Sequence, residues 1–598
     1  MCGIFALLNS HIFNNTLPNN DIINNEFMKG QRRGPEFSKL ETKYIKMTLG
    51  FHRLAINGLN EESNQPLVIN DVVLICNGEI YNYKQLYKYM NVEPQTGSDC
   101  EVIIHLYLKY GIEQTLTMLD GVFAFVLYDN RIQDDLTNNV YVARDPFGVR
   151  PLYYLKHNYI KNYNMYGFAS ELKCLEKFYN LNIPQYSVEQ FKPGTYSVFS
   201  LSNVVNSTWE PFQENVAYFT PTFPYSRASF NSVVLLFDEF FAGVSQYLIC
   251  AVNKRCITTE RPIACLLSGG LDSSLIAALV ADYYRTNLNG KILETYSIGL
   301  EDSEDLKYAR IVSKWINSHH TEITVTEDDM FNAIPEVIQA IESYDTTTVR
   351  ASIGNYLLGK YIAKHSQAKV IFNGDGSDEL FGGYLYMNKC PDDIEFDKET
   401  RRLLKDIHLF DVLRSDKSIS SNGLEPRTPF LDRNFANYVL SIPPYFRNHN
   451  NLKHIEKYLL RESFTDYTDS RGYNILPDAI LFRKKEAFSD GVSTKGRSLY
   501  TILQEKIVDK LNIDSPYTFK ANIDTEKYYY KRLFNEFFPN CENIIPYLWM
   551  PKYTNTNDPS ARTLYFYDGD NQRASVENVD ENVDENYENT DELEFLEN

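Results

Sequence analysis

The 598-residue sequence contains no run of roughly 20 apolar residues, which excludes a helical membrane span. Its most apolar stretch, Phe230 to Val252, carries Asp238, Glu239, Ser245 and Gln246 and reads as an amphipathic core helix. The opening residues Met1 to Leu8 have no basic segment, so a signal peptide is not expected. Positive charge is scarce: 59 Lys and Arg against 79 Asp and Glu leave a net charge of −20. That balance argues against general nucleic-acid binding, which needs basic surface to neutralise phosphates. The nine cysteines form no Cys-x-x-Cys, so zinc knuckles and dithiol redox motifs are absent. An odd, scattered set of thiols fits a reducing cytoplasm. The Walker lysine pattern is missing too, since neither Gly290-Lys291 nor Gly359-Lys360 sits in it.

What is present suits packed domains, with 43% apolar and 23% charged residues. The first 200 residues hold short β-rich runs such as Leu49–Ile56, Val72–Cys76, Val122–Tyr128 and Val140–Ala143, with one clear helix after Asp99. This reads as an α+β layered domain. Residues 203–228 contain Pro211, Pro221 and Pro224 and are expected to be irregular. Strand-helix alternation then begins, with strands near 262–267, 295–300, 320–325 and 369–372 and helices from Ser273, over 303–318 and near 328–341. That grammar predicts a parallel α/β sheet. Residues 400–550 read as mainly helical. The expected division is 2–205, a linker at 206–228, a second domain at 229–565 and a tail at 566–598. From Ala574 on, the tail has ten acidic residues and no Lys or Arg, so it is expected to be disordered.

Two sites stand out. Cys2 directly follows the initiator Met, and Met removal would join its thiol to a free α-amine able to act as a general base near neutral pH. Asn77 and Gly78, at the end of an apolar strand, can supply an oxyanion hole. Glu79 can hold an ammonium, and Arg53 can clamp a carboxylate. Asp99 sits at a helix start, where it also suits an N-cap. The second site is the heptad Ser268-Gly269-Gly270-Leu271-Asp272-Ser273-Ser274, between a strand and a helix. Its glycines bring backbone N–H groups to an anion at a helix N-terminus, and its hydroxyls add donors. Asp272 can hold Mg²⁺. The loop Asn373 to Gly383 follows a later strand of the same sheet and can face the heptad, with Asp378 as a second metal ligand. Arg483-Lys484-Lys485 supplies cations for phosphate charge.

The first 150 residues, through Cys2-Gly-Ile-Phe, Arg33-Gly-Pro, Arg53-Leu-Ala-Ile, Asn77-Gly-Glu-Ile-Tyr-Asn and Gly97-Ser-Asp, resemble a class II glutamine amidotransferase domain. The resemblance implies an N-terminal-nucleophile hydrolase sandwich with Cys2 as nucleophile. It also implies glutamine held by Arg53, Asn77, Gly78, Glu79, Asp99 and the backbone of Leu54, Ala55, Ile56 and Asn57. The heptad resembles a PP-loop, found in enzymes that split ATP into AMP and pyrophosphate. With Tyr344–Ser352, Asn373–Gly383 and Phe488–Gly491, the second half resembles the glutamine-hydrolysing asparagine synthetase family, in order to about Arg562. That resemblance implies ATP contacts from Leu267, Ser268, Ile298, Asn373 and Gly374, and Mg-pyrophosphate handled by Asp272 and Asp378. It places Thr347, Thr348 and Arg350 near aspartate, Lys485 on the activated intermediate, and a protected ammonia tunnel between the sites.

The sequence departs from the family pattern in two places. Gln31-Arg32-Arg33-Gly34-Pro35-Glu36 replaces Arg-His-Arg-Gly-Pro-Asp, and Asn373-Gly374-Asp375 replaces Ser-Gly-Glu. Asp375 keeps the carboxylate, one methylene shorter. A β-lactam-synthetase-like enzyme is the nearest rival, but such relatives lack a working N-terminal Cys. Amidotransfer to a sugar phosphate would lack the PP-loop, and a non-catalytic relative would have lost catalytic side chains. Expected partners are glutamine, aspartate and ATP with Mg²⁺, not nucleic acid or membrane. A homodimer is open, since the Phe230–Val252 helix suits either a domain face or a face between subunits.

Overall fold

The computed structural model describes residues 2–10, 20–131, 137–158, 164–180, 186–202, 207–223, 233–494, 496–514, 518–564 and 567. The acidic tail, and positions 206 and 224–228 of the expected linker, lie outside the described residues.

Twelve strands build the first half: β1 Gly3–Leu8, β2 Phe37–Tyr44, β3 Met47–Arg53, β4 Leu67–Ile69, β5 Val72–Ile80, β6 Gly121–Asp129, β7 Thr137–Arg144, β8 Tyr153–His157, β9 Tyr166–Ala169, β10 Tyr186–Gln190, β11 Thr195–Ser202 and β12 Glu210–Ala217. They form two antiparallel six-stranded sheets, ordered β10-β8-β9-β1-β3-β2 and β12-β11-β7-β6-β5-β4. The central strands read as continuous apolar runs because both their faces are covered. Ile4, Ala6 and Leu8 of β1 share one buried cluster with Val73 and Ile75 of β5 and Val126 of β6, which is the sandwich interior. The alternate residues Val72, Leu74 and Cys76 pack with Ile103 and Leu106 of the helix Val102–Met118. Phe5 and Leu7 join Phe27, Leu172 and, from the second half, Ile334, Val337 and Ile338.

Part of the expected linker is strand. β12 pairs with β11 across bulges and leaves most of its side chains exposed. β12 is an edge strand, the place in a sheet where a proline such as Pro211 is tolerated. Its proline, together with its polar and exposed residues, hid it from sequence reading.

The second half carries a parallel sheet of β13 Ile263–Leu266, β14 Glu294–Gly299, β15 His319–Thr324, β16 Val370–Phe372 and β17 Glu425–Arg427, ordered β15-β14-β13-β16-β17. β17 was not expected; it is three residues long and contains Pro426. The helix expected near 328–341 is two helices, Glu327–Asn332 and Ile334–Ile341. Thr326 and Asp329 close a capping box on the first, and Pro335 starts the second. The apolar stretch from Phe230 becomes the helix Val233–Ile257, whose Val244, Leu248 and Val252 enter the core of the second half. That core continues into the first half through Leu54, Ile56, Tyr81, Phe147 and Val149.

Candidate active sites

Cys2 lies just before β1, opposite Asn77 near the end of β5. Its backbone nitrogen donates to Asn77 Oδ1 at 3.2 Å, and its Sγ lies 3.7 Å from Leu54 O. Arg33 Nε donates to the Cys2 carbonyl at 3.0 Å. Burial pushes the Cys2 thiol up, so the resting sulfur keeps its proton until a base removes it. Asn77 Nδ2 makes only a long contact of 3.5 Å to Ser170 Oγ, which leaves this donor available. At Gly78 a Cβ would lie 2.6 Å from Val122 O, so the β5–β6 pairing admits only glycine there.

Glu79 is buried and accepts from Asn57 Nδ2 at 2.7 Å, with Arg427 Nη2 of β17 at 3.4 Å. Burial, and the nearby Asp99, raise its carboxyl well above the usual range. Asp99 accepts from the Ile80 N–H at 2.6 Å and caps nothing, because Ser98 holds the N-cap position. Burial raises Asp99 to about 6. Two neighbouring buried carboxyls held up in this way suit an ammonium ligand, which would favour their ionised forms.

Arg53 departs from its expected role. Its Nη1 donates to Asn60 O at 2.9 Å and Asn64 Oδ1 at 2.7 Å, and its Nη2 reaches the carbonyls of Asn57 and Gly58. The fork therefore braces the loop 57–64, whose inward carbonyls need a donor, instead of opening toward a carboxylate. Leu54, Ala55, Ile56 and Asn57 are buried, and residues of both halves hold them in place. Glu36 Oε2 accepts from the Ala55 N–H at 2.7 Å, Arg261 Nε donates to Ala55 O at 2.8 Å, and the Glu260 N–H donates to Ile56 O at 3.0 Å. Glu36 and Arg261 pair at 2.5 Å, so the altered end of the Arg-Gly-Pro motif reaches across the domain boundary.

In the second half the strand order turns at β13, between β14 and β16. A doubly wound sheet binds ligands outside the carboxyl ends of its strands at such a point. Ser268 follows β13 and Asn373 follows β16, and a single cavity takes in both loops. Gly374 makes that approach feasible, because a Cβ there would lie 2.7 Å from Asp272 Cβ. Ser268 Oγ and Ser273 Oγ hydrogen-bond at 2.9 Å and hold the turn into the helix Leu271–Asn287.

Four of the charges that line the cavity form a tight cluster. Lys457 Nζ lies 2.6 Å from both Asp272 Oδ2 and Asp378 Oδ1, and Lys485 Nζ lies 2.6 Å from Asp378 Oδ2. The two lysines hold the Asp378 carboxyl well below the usual carboxylate range, and the two aspartates hold Lys485 above the usual lysine range. Two carboxylates within reach of one ammonium also suit Mg²⁺, which commonly takes one or two carboxylates and completes its shell with phosphate oxygens. Among the described residues no cluster of three acidic, His or Cys ligands forms a metal cage of its own. Thr347 and Arg483 line the same cavity, and their Oγ1 and Nη1 atoms are buried without a hydrogen-bond partner.

The cavity gathers Leu267, Ser268, Gly270, Asp272, Ser273 and Ile298 with Thr347, Asn373, Gly374, Asp375, Asp378 and Lys485. Gly269, Ser274, Thr348 and Arg350 do not line it. Gly269 packs on the helix Glu304–Ile316 and Ser274 is buried behind the turn. Thr348 bonds through N and Oγ1 to Asp345 at a helix start. The expected place for Arg350 near aspartate is corrected: its guanidinium is buried in paired bonds to Glu526 and Asp558, all between 2.6 and 2.8 Å. Sequence reading missed Lys457 and Arg414. Arg414 Nη2 donates to Asp375 Oδ1 at 2.9 Å. Neither residue has a motif around it, and only the tertiary fold brings them in.

Fold and sites together define a class: a glutamine amidotransferase sandwich fused to a PP-loop α/β domain. The glutamine amidotransferase domain family matches residues 1–221, past β12, and the asparagine synthase family matches residues 243–394 and 388–555. Curated proteins named asparagine synthetase [glutamine-hydrolyzing] align over almost their whole length. That of Cricetulus griseus is 40% identical over 595 residues, covering 95% of this chain and 99% of its own. Those of Homo sapiens and Gallus gallus are also 40% identical, over 594 and 596 residues, with the same coverage. The chain belongs to the glutamine-hydrolysing asparagine synthetase family.

Proposed function

We propose that this chain makes asparagine from aspartate, with glutamine as nitrogen donor and ATP as energy source. With Met1 removed, the Cys2 α-amine takes the thiol proton and the sulfur attacks the glutamine amide carbon. Asn77 Nδ2 and the Gly78 N–H stabilise the oxyanion. The carbon–nitrogen bond breaks, ammonia leaves with that proton, and water hydrolyses the remaining thioester to glutamate. Glu79 and Asp99 take the glutamine ammonium, and the braced 54–57 backbone borders its side chain.

In the other half the aspartate side-chain carboxylate attacks the α-phosphorus of ATP, giving aspartyl-AMP and pyrophosphate. Ammonia adds to the acyl carbon, Asp375 takes a proton, and AMP leaves. Leu267 and Ile298 flank the base, while Ser268, Ser273 and Lys485 meet phosphate oxygens. Mg²⁺, when bound through Asp272 and Asp378, neutralises phosphate charge. Ammonia in water at neutral pH is mostly ammonium and not nucleophilic, so a protected passage between the sites belongs to this reading.

The glutaminase half then runs from Cys2 to Ala217, the synthetase half from Val233 to about 565, and the tail beyond holds no catalytic part. The partners are small molecules, the setting is the cytoplasm, and sedimentation would show whether two copies associate. No described helix is long and apolar enough to cross a membrane.

One juxtaposition carries the proposal: the Cys2–Asn77 pair and the Asp272–Lys457–Asp378–Lys485 cross share one chain. The test is a product assay with glutamine, aspartate and Mg-ATP. Aspartate-dependent AMP, matched by asparagine and accompanied by glutamate, is the expected result. Glutamate without aspartate-dependent AMP would defeat the asparagine assignment.

A further inference from the structure

The helix Asp411–Ser420 does different work at its two faces. Toward the ATP cavity, Arg414 Nη2 donates to Asp375 Oδ1 at 2.9 Å, and Ser415 Oγ accepts from Asn373 Nδ2 at 2.7 Å. Toward the glutaminase half, Asp416 Oδ2 accepts from Arg33 Nη1 at 2.7 Å, and Ser420 Oγ accepts from the same nitrogen at 3.0 Å. Arg150 Nη1 donates to Asp416 Oδ1 at 3.3 Å. Arg33 Nε, in turn, donates to the carbonyl of Cys2, the residue that bears the nucleophile. Arg33, Arg150 and Asp416 are 1, 0 and 1% exposed, so bulk solvent does not reach these bonds.

Stability alone is a poor reason for this arrangement. Burying ions costs desolvation that their mutual attraction often fails to recover. Arg33 already has a carboxylate from its own half, Glu171 Oε1 at 2.8 Å. Asp416 adds a second acid from the other half, and the chain of contacts ends at Cys2. Arg414 and Asp416 are two residues apart on one helix, so a shift of this element moves both ends together.

We propose that Asp416 is a positioning residue for Cys2, acting through Arg33, and that the helix relays occupancy at Asp375 and Arg414 to the glutamine site. The inference rests on the reading under Proposed function and extends it. A ligand that engages Asp375 or Arg414 changes the load on the helix and so the setting of the Cys2 backbone. By linkage, glutamine bound at Cys2 favours the same helix position that the cavity ligands favour.

Asp416→Asn in the full chain tests this, because it keeps the shape and removes the charge. Three rates are measured: glutamine hydrolysis, asparagine formation from ammonia, and iodoacetamide alkylation of Cys2 with and without Mg-ATP plus aspartate. Glutamine hydrolysis should fall about 100-fold in kcat, the scale of a reacting group displaced by about 1 Å, while ammonia-dependent synthesis stays within about twofold. Cys2 alkylation in the wild type should change severalfold when Mg-ATP and aspartate are added, and in Asp416→Asn it should not respond. Unchanged glutamine hydrolysis, or a retained alkylation response in the variant, overturns the relay. Should Asp416→Asn fail to fold, Ser420→Ala removes the 3.0 Å bond from Arg33 and the 3.4 Å bond to Asp416, and it faces the same readouts. Glutamine hydrolysis unchanged in that variant overturns the proposal equally. A wild type that makes no asparagine from ammonia defeats the functional reading instead, and the alkylation response to Mg-ATP still judges the relay.

Discussion

The two sites solve opposite electrostatic problems. Around Cys2 fixed hydrogen bonds do the positioning: Asn77 Oδ1 on the Cys2 nitrogen, Arg33 on its carbonyl and Arg53 on the loop carbonyls. In the cavity of the second half acidic and basic side chains face one another, with Asp272 and Asp378 held against Lys457 and Lys485. Thioester chemistry passes through one oxyanion, which a few fixed donors can hold. Adenylation handles a polyanion and its cation, so the cavity needs mobile charges that can exchange partners when both arrive. The Cys2 site is specified by close fixed contacts, the cavity of the second half by counting charges.

The largest expected effect separates the two sites outright. Cys2→Ala should remove glutamine-dependent asparagine formation by on the order of 10⁴-fold or more, as loss of a nucleophile does elsewhere. Synthesis from ammonia should persist; its loss would show that the two sites are one.

Next comes a residue that the sequence placed near aspartate and the structure placed among Glu526 and Asp558. Arg350→Ala should cost about 3–5 kcal/mol of stability, the usual result of leaving buried carboxylates unpaired. Thermal or denaturant unfolding measures it. A stable variant with a raised KM for aspartate would return Arg350 to the cavity.

The counting rule for the charged site is probed by Lys457→Met. It should lower ammonia-dependent synthesis about 10²- to 10³-fold by leaving the Asp272–Asp378 pair short of one cation. Glutamine hydrolysis without ATP should be much less affected. Equal losses at both sites would break the contrast.

The smallest effect is a pH dependence. The folded value of Asp99, about 6, lies above its ordinary 3.8 because burial disfavours the charge. Ionising it therefore costs the fold, and that cost is present above pH 6 and relieved as pH falls from 6 toward 4. Recognition of an ammonium runs the other way, because it needs the ionised form. The fall of kcat/KM for glutamine on acidification, which protonation of the Cys2 amine begins near neutral pH, should therefore steepen by about a further tenfold per pH unit below pH 6. A slope that does not steepen through pH 6 would remove Asp99 from ammonium recognition.

Much of this was legible in the sequence because local rules fixed it. The Ser268–Ser274 turn lies between an apolar strand and a helix, and Asn77-Gly78-Glu79 ends a strand. Residues whose partners are distant were not legible. Lys457 is 185 positions from Asp272, and Arg33 is 383 from Asp416. Arg350 was misplaced because a motif position does not say which way a helix turns its side chain. β12 was missed because an edge strand needs no apolar alternation.

Leu54, whose carbonyl lies 3.7 Å from Cys2 Sγ, and Ile56 are buried in the core of the opposite half. The seam of this enzyme therefore runs through a hydrophobic interior, not over a wet surface. A fragment cut after Ala217 would expose that seam and need its other half to keep a working glutamine pocket. Grafting the amidotransferase onto a new ligase would thus mean transplanting both banks of the seam, including the segment Thr258–Arg261 that faces it.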